Sequence, residues 1–242
     1  MKEFYVYLPS NTDFLPENKA SNYVTKLAKE LNLGSSWECA LKEIHYPRSW
    51  NTLKGDEGNF YVHSIPTNSW ELRNIPAGYY ARAEEVVVAL NKELKTLKIT
   101  VEILHYSRLI AFTIPNDLEL VFHEPLSSLF GLAHSIQYCR GPRKYGKYPI
   151  DINRGIDALY VYSDVVQTKL VGNASVPLLS VVPLRGQFGE MVFKEYATPV
   201  YAPLAKHEFS TIEMYIMDSA GREIPFNAGK VTVLLHFKER YE

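Results

Sequence analysis

The alternation of apolar and polar residues is clearest near the end of the chain. In 209–217, Ile212, Met214 and Ile216 fall on one side and Thr211, Glu213 and Tyr215 on the other. In 231–238, Val231, Val233, Leu235 and Phe237 oppose Thr232, Leu234, His236 and Lys238. A period of two is the pattern of a strand with one buried face. Between these arms lie the turn-forming cluster 218–221 and a short extended piece, Ile224-Pro225-Phe226, so the pattern predicts a terminal hairpin with an ordered excursion. Strands with this much apolar surface must be paired and covered on one face, because an open hydrophobic edge invites aggregation.

The same period marks the start of the chain. Phe4–Leu8 predicts a strand stopped by Pro9 and the turn residues Ser10, Asn11, Thr12 and Asp13. Asn22–Leu27 and Trp37–Ile44 alternate as well, the latter ending at Pro47. The residues 29–33 after the second strand fit either an extension or a helical turn. Asn59–Ile65 and Trp70–Ile75 are further short strands. Then the period changes. Val86, Val87, Leu90, Leu94 and Leu97 recur at helical spacing, with Glu84 and Glu85 in the first turn, where the helix dipole favours acids. Ile99–Leu104 and Leu109–Ile114 read as a hairpin, Leu118–Phe122 as a third strand, and Pro125–Leu132 as a short helix. Strands resume over Ala158–Val166, Val176–Val182, Met191–Tyr196 and Pro199–Leu204. No internal repeat is visible.

This order predicts a mainly β chain: a single jelly-roll or other Greek-key β-sandwich with a small inserted α+β segment. The expected divisions are N-terminal sandwich strands over 1–68, the α+β insert over 69–132, a basic irregular loop over 133–154, and the completing strands over 155–242. The first and last strands must then meet across the insert.

Composition narrows the classes. With 242 residues, 46% hydrophobic and 22% charged, the chain has globular, not disordered, composition, and its 17 Tyr and 11 Phe favour strands. A net charge of −1 supplies no global field for nucleic acid or membrane. No apolar run is long enough to span a bilayer, and residues 1–10 do not read as a secretory signal. Cys39 and Cys139 lack metal spacing and read as free thiols of a reducing compartment.

Catalytic and cofactor signatures are missing from the sequence. Residues 141–146 have neither phosphate-loop spacing, and no HExxH or CxxC occurs. His45, His63, His105, His123, His134, His207 and His236 are scattered, and Cys39 sits mid-strand, where core packing accounts for it. The expectation is no catalytic residue, no metal and no cofactor. One segment has a binding flavour. Arg140, Arg143, Lys144, Lys147 and Arg154 outweigh Asp151, with Tyr138, Tyr145 and Tyr148 interspersed. Such a loop can be merely solvated, can contact a protein subunit, or can stack on and neutralise nucleic acid. The overall charge favours protein over phosphate, which makes Arg140, Arg143, Lys144, Tyr145, Lys147 and Tyr148 candidate subunit-interface residues. The loop is expected to be mobile until it meets a neighbour.

Taken together, the segments 4–11 (FYVYLPSN), 37–47 (WECALKEIHYP), 75–80 (IPAGYY), 155–162 (GIDALYVY), 209–213 (FSTIE) and 221–226 (GREIPF) resemble the penton-type minor capsid proteins of Polintons (Mavericks) and adintoviruses. The match spans essentially the whole chain in order, but its motifs encode strand ends and turns, not chemistry. The resemblance implies a single jelly-roll protein at the fivefold vertices of an icosahedral capsid. It implies a homopentamer, a double jelly-roll major capsid protein as partner, at most weak contact with packaged DNA, and a place in a virion assembled in the host cell, in its nucleus. Two other classes remain open. One is a carbohydrate- or ligand-binding β-sandwich, against which Trp37, Trp50 and Trp70 are dispersed along the chain. The other is a protease with Cys39 as nucleophile.

Overall fold

A computed structural model describes residues 2–11 and 15–240. Thr12 and Asp13 of the expected first turn lie outside the described residues. The first strands are β1 (Glu3–Pro9), β2 (Asn22–Asn32) and β3 (Trp37–Pro47). Residues 29–32 therefore extend the second strand. Next come β4 (Asn59–Ser64), β5 (Ser69–Asn74), α1 (Ala83–Leu94), β6 (Thr100–Ile103), β7 (Ile110–Thr113), β8 (Leu118–Phe122), α2 (Leu126–Leu129), β9 (Gln137–Arg140) and β10 (Lys144–Tyr145). The chain closes with β11 (Ala158–Ser163), β12 (Lys169–Val171), β13 (Ala174–Val176), β14 (Leu178–Pro183), β15 (Met191–Glu195), β16 (Ala202–Pro203), β17 (Glu208–Met217) and β18 (Thr232–Glu239).

The chain divides into two compact units, one formed by 1–50 with 156–242 and the other by 51–155. The first is a sandwich of two antiparallel sheets, ordered β1-β18-β3-β15 and β14-β11-β17-β2, with β16 also paired to β3. The pairings nest: β1 with β18, β2 with β17, β3 with β15, and β11 with β14. A long antiparallel ribbon rolled into two sheets gives this order, which is that of a jelly roll. Ile212, Met214, Ile216, Val231, Val233, Leu235 and Phe237 all lie in its buried core, as their alternation predicts.

The two terminal arms do not form a hairpin. β17 pairs with β2 and β11 and β18 pairs with β1 and β3, so they belong to opposite sheets. The residues between them cross from one sheet to the other. Asp218 anchors the crossing: its buried carboxylate accepts the backbone N–H groups of Ala220 and Arg222, each at 2.9 Å, and Arg222 Nε at 2.7 Å.

The second unit has its own core, which includes Leu53, Phe60, Val62, Leu90, Phe112, Phe122 and Phe130. It holds a four-stranded sheet, β5-β4-β8-β9, and a three-stranded sheet, β10-β7-β6. Packing puts the division of the chain at 50/51 instead of the expected 68/69, because β4 pairs with β5 and β8 and buries Phe60 and Val62 in this core. β8 pairs with β4 and β9, not with the β6–β7 hairpin. Helix α1 buries Val86, Val87, Leu90 and Leu94. Its own first-turn backbone N–H and the Arg108 guanidinium, 2.7 Å away, hold the Glu84 carboxyl below the usual carboxylate range. The helix tightens into a 3-10 turn over Lys95–Leu97 and stops at Lys98, whose φ of 54° is left-handed.

Candidate interaction surfaces

The expected irregular segment 133–154 contains β9 and β10 and is tied into the second unit. Lys144 and Tyr145 pair with Phe112 and Ala111 of β7. Gly146 N–H donates to Ile110 O at 2.9 Å, and the N–H groups of Lys147 and Tyr148 converge on Gly131 O at 2.8 and 2.9 Å. Asp151 N–H reaches Leu129 O at 2.9 Å. Gly131 is required here, for its φ is +65° and a Cβ would stand 2.0 Å from Tyr148 O. Where the glycines and prolines led to an expected irregular path, the segment has backbone hydrogen-bond partners within its own chain.

The six candidate interface residues do not form one patch. Arg143, Tyr145 and Glu102 gather on the outer face of the three-stranded sheet. The Arg143 guanidinium lies 2.9 Å from Glu102 Oε1 and 5.7 Å from the centre of the Tyr145 ring. Lys147 stands 5.2 Å from the Tyr148 ring centre, and both tyrosines are exposed. Lys144 is half-buried on the other side of the same strand. Arg140 belongs to the other sheet, through β9. Part of the local positive charge is already matched, Arg143 by Glu102 and Arg154 by Glu57 at 2.7 Å.

A second surface escapes the sequence pattern. Phe60 and Val62 of β4 point into the core, so Tyr61 and His63 face outward. In-register partners share a face, so two cross-strand rows form on the outer side of the four-stranded sheet. One row runs Leu72, Tyr61, Val121, Tyr138, and the next runs Trp70, His63, Glu119, Arg140. Trp70 stacks on His63, with centroids 4.2 Å apart and planes at 10°. His63 is held in turn by Glu119 Oε2 at 3.3 Å from Nδ1 and by Asn68 Oδ1 at 3.0 Å from Nε2. Tyr61 meets Trp70 and His123 edge to face. Trp37 and Trp50 are buried in the sandwich. The signal that could have found this surface is the alternation itself, read for its outward side.

The outer face of the β1-β18-β3-β15 sheet is also aromatic. Tyr5 and Tyr7 are exposed, as are Met191 and Phe193. His236 is buried there between Tyr201, whose hydroxyl is 2.7 Å from Nδ1, and Tyr5, stacked at 4.4 Å.

Neither thiol is a nucleophile candidate in its surroundings. Cys39 is fully buried and burial alone pushes its thiol far up; burial pushes Cys139 up to about 12. A reactive cysteine needs the opposite shift. Among the described residues, no group of three or more His, Cys, Asp or Glu could hold a metal ion, and no helix is long and apolar enough to cross a membrane.

No family model and no curated protein matches the chain. Among solved structures, it is similar to the crystal structure of the mavirus penton protein. The likeness covers 99% of this chain and 100% of that one, with a TM-score of 0.52 and 11% sequence identity. At that identity the likeness is one of fold, and it agrees with the jelly-roll strand order.

Proposed function

We propose that this chain is a structural capsid protein of the penton type. In this reading it forms the fivefold vertices of the icosahedral capsid of a DNA virus or virus-like transposon of the Polinton or adintovirus kind. The observation that carries the reading is the correspondence of fold with the mavirus penton protein over the whole length of both chains. A capsid protein works by its surfaces, and buried, protonated thiols with no metal-binding cluster among the described residues are compatible with that role.

A ring of five copies needs two different patches that meet head to tail and close. Two surfaces supply the rigid aromatic area that protein interfaces favour. One is the outer face of the sandwich at Tyr5, Tyr7, Met191 and Phe193; the other is Arg143, Tyr145, Lys147 and Tyr148. The partners are then other copies of the chain and a double jelly-roll major capsid protein. DNA contact is weak, because Arg143 and Arg154 already hold carboxylates and phosphate binding needs many uncommitted cations. The protein resides in the virion after assembly in the host nucleus.

Electron microscopy of the purified protein tests the class: fivefold rings are expected, and a strictly monomeric protein that never enters particles refutes it. A triple variant, Arg143→Ser, Lys144→Ser and Tyr145→Ala, tests the segment. It should fold by circular dichroism and fail to form rings. Rings that assemble normally but no longer retain DNA would assign this segment to the genome instead.

A further inference from the structure

We infer that the outer face of the β5-β4-β8-β9 sheet is a binding platform for an uncharged glycan, with Trp70 as the stacking residue. The inference does not rest on the capsid reading, and it concerns a surface that reading leaves unused.

Three features of the face converge on this chemistry. The first is a supported aromatic ring. Trp70 is 51% exposed, although in-register stacking on His63 covers part of it. His63 cannot swing away, since both of its nitrogens have polar partners in Glu119 and Asn68. A sugar ring presents a face of C–H groups, and a fixed, half-open indole offers the flat apolar partner for it without ordering cost on binding.

The second feature is what surrounds the ring. Beside Trp70, at the β4–β5 turn, Asn68 Oδ1 lies 3.0 Å from His63 Nε2. At the far end of β5, Asn74 Nδ2 donates to Asn59 Oδ1 at 2.7 Å. Glu119 and Arg140 continue the Trp70 row across the sheet. The phenol hydroxyls of the exposed Tyr61 and Tyr138, the amides, a carboxylate and a guanidinium beside the indole make a set of donors and acceptors suited to a polyhydroxyl chain.

The third feature is charge. Glu119 sits opposite Arg140 in the register, so the acid and the base of the outward rows balance. A nucleic acid would meet no excess of cations here. The polar rows also interrupt the apolar one, whereas the core of a subunit contact is depleted in charged groups. Complementarity in charge therefore selects a neutral, hydroxyl-rich ligand over phosphate and over a second copy of the chain. At about 4.8 Å per strand, the two rows extend on the order of 14 Å. That length suits a short oligosaccharide rather than a single sugar.

Trp70 is also the reporter. Because Trp37 and Trp50 are buried, a ligand on this face changes the emission of Trp70 alone among the three tryptophans. The full chain is titrated separately with maltotriose, cellotriose, mannotriose and chitotriose, followed by tryptophan fluorescence and by isothermal calorimetry. At least one is expected to bind saturably. Trp70→Ala should weaken that binding roughly tenfold or more, and Trp70→Tyr should restore most of it, as loss and recovery of one stacking contact require. Sedimentation of both variants should match that of the wild type. If no trisaccharide binds, or Trp70→Ala binds as the wild type does, the inference is overturned. If Trp70→Ala changes oligomeric state and no saccharide effect is seen, the face is a subunit contact. A failure of ring formation with saccharide binding intact would count against the capsid reading alone.

Discussion

In the sandwich, Glu3 lies opposite Lys238 and Asn22 opposite Tyr215; in the inserted unit, Ile103 lies opposite Ile110 and Ser64 opposite Ser69. The two units have similar composition and separate apolar cores, yet they close by different routes. The sandwich closes only when the two halves of its sequence meet, with β1 seated on β18 and β2 on β17. The inserted unit closes largely within itself, since residues 51–155 are contiguous and their hairpins are local. Loop-closure entropy grows only slowly with loop length, and a self-folded insert shortens the effective link further. That is how a jelly roll can hold a whole folded unit between β3 and β11 and still pair its ends. The lesson is that the sandwich is the non-local, slowly nucleated part and the insert the local one.

The contrast can be broken most severely at Val233. This residue is fully buried in β18, between β1 and β3. Val233→Asp places an unpaired charge in the sandwich core, a cost comparable with the whole stability of a domain, ~5–15 kcal/mol. Loss of the sandwich is expected, measured as a collapse of the β-sheet circular dichroism signal while the α1 signal of the insert persists. Normal yield and melting temperature would show that β18 is not a core strand.

A milder change separates the units from the other side. Leu90 is fully buried on α1 among the core of the insert. Leu90→Ala should cost about 2–5 kcal/mol. Calorimetry should show a transition assigned to the insert moving down in temperature while the sandwich transition holds. A single transition moving as one would mean that the two units unfold together.

The smallest expected effect sharpens the account of the crossing between sheets. Asp218 organises 218–222 through two backbone N–H groups and Arg222 Nε. Asp218→Ala leaves those donors without their buried acceptor and should cost about 1–3 kcal/mol. Chemical denaturation should record this loss in the sandwich transition, with the insert unchanged. An effect below the error of the measurement would mean that the turn forms without its carboxylate.

By itself, the sequence determined the longer strands, the long helix and the apolar side of each, whereas the short β9, β10, β12 and β13 carry no such pattern. Ile212, Met214 and Ile216 point inward because alternation on a pleated strand leaves them one face to share, and Val86, Val87, Leu90 and Leu94 do so because a helix turns every 3.6 residues. Pairing partners lay outside this information. Nothing in 209–237 says that β17 and β18 join opposite sheets, since a hairpin and a crossing between sheets bury the same alternating residues. The division at 50/51 was hidden for a related reason: β4 has a strand pattern in either unit, and only its pairing with β5 and β8 assigns it. The outward rows through Trp70 and Tyr61 required register as well, because residues 61, 70, 119 and 138 become neighbours only once four strands are aligned. Local periodicity encodes burial, and tertiary pairing decides which exposed side chains share a surface.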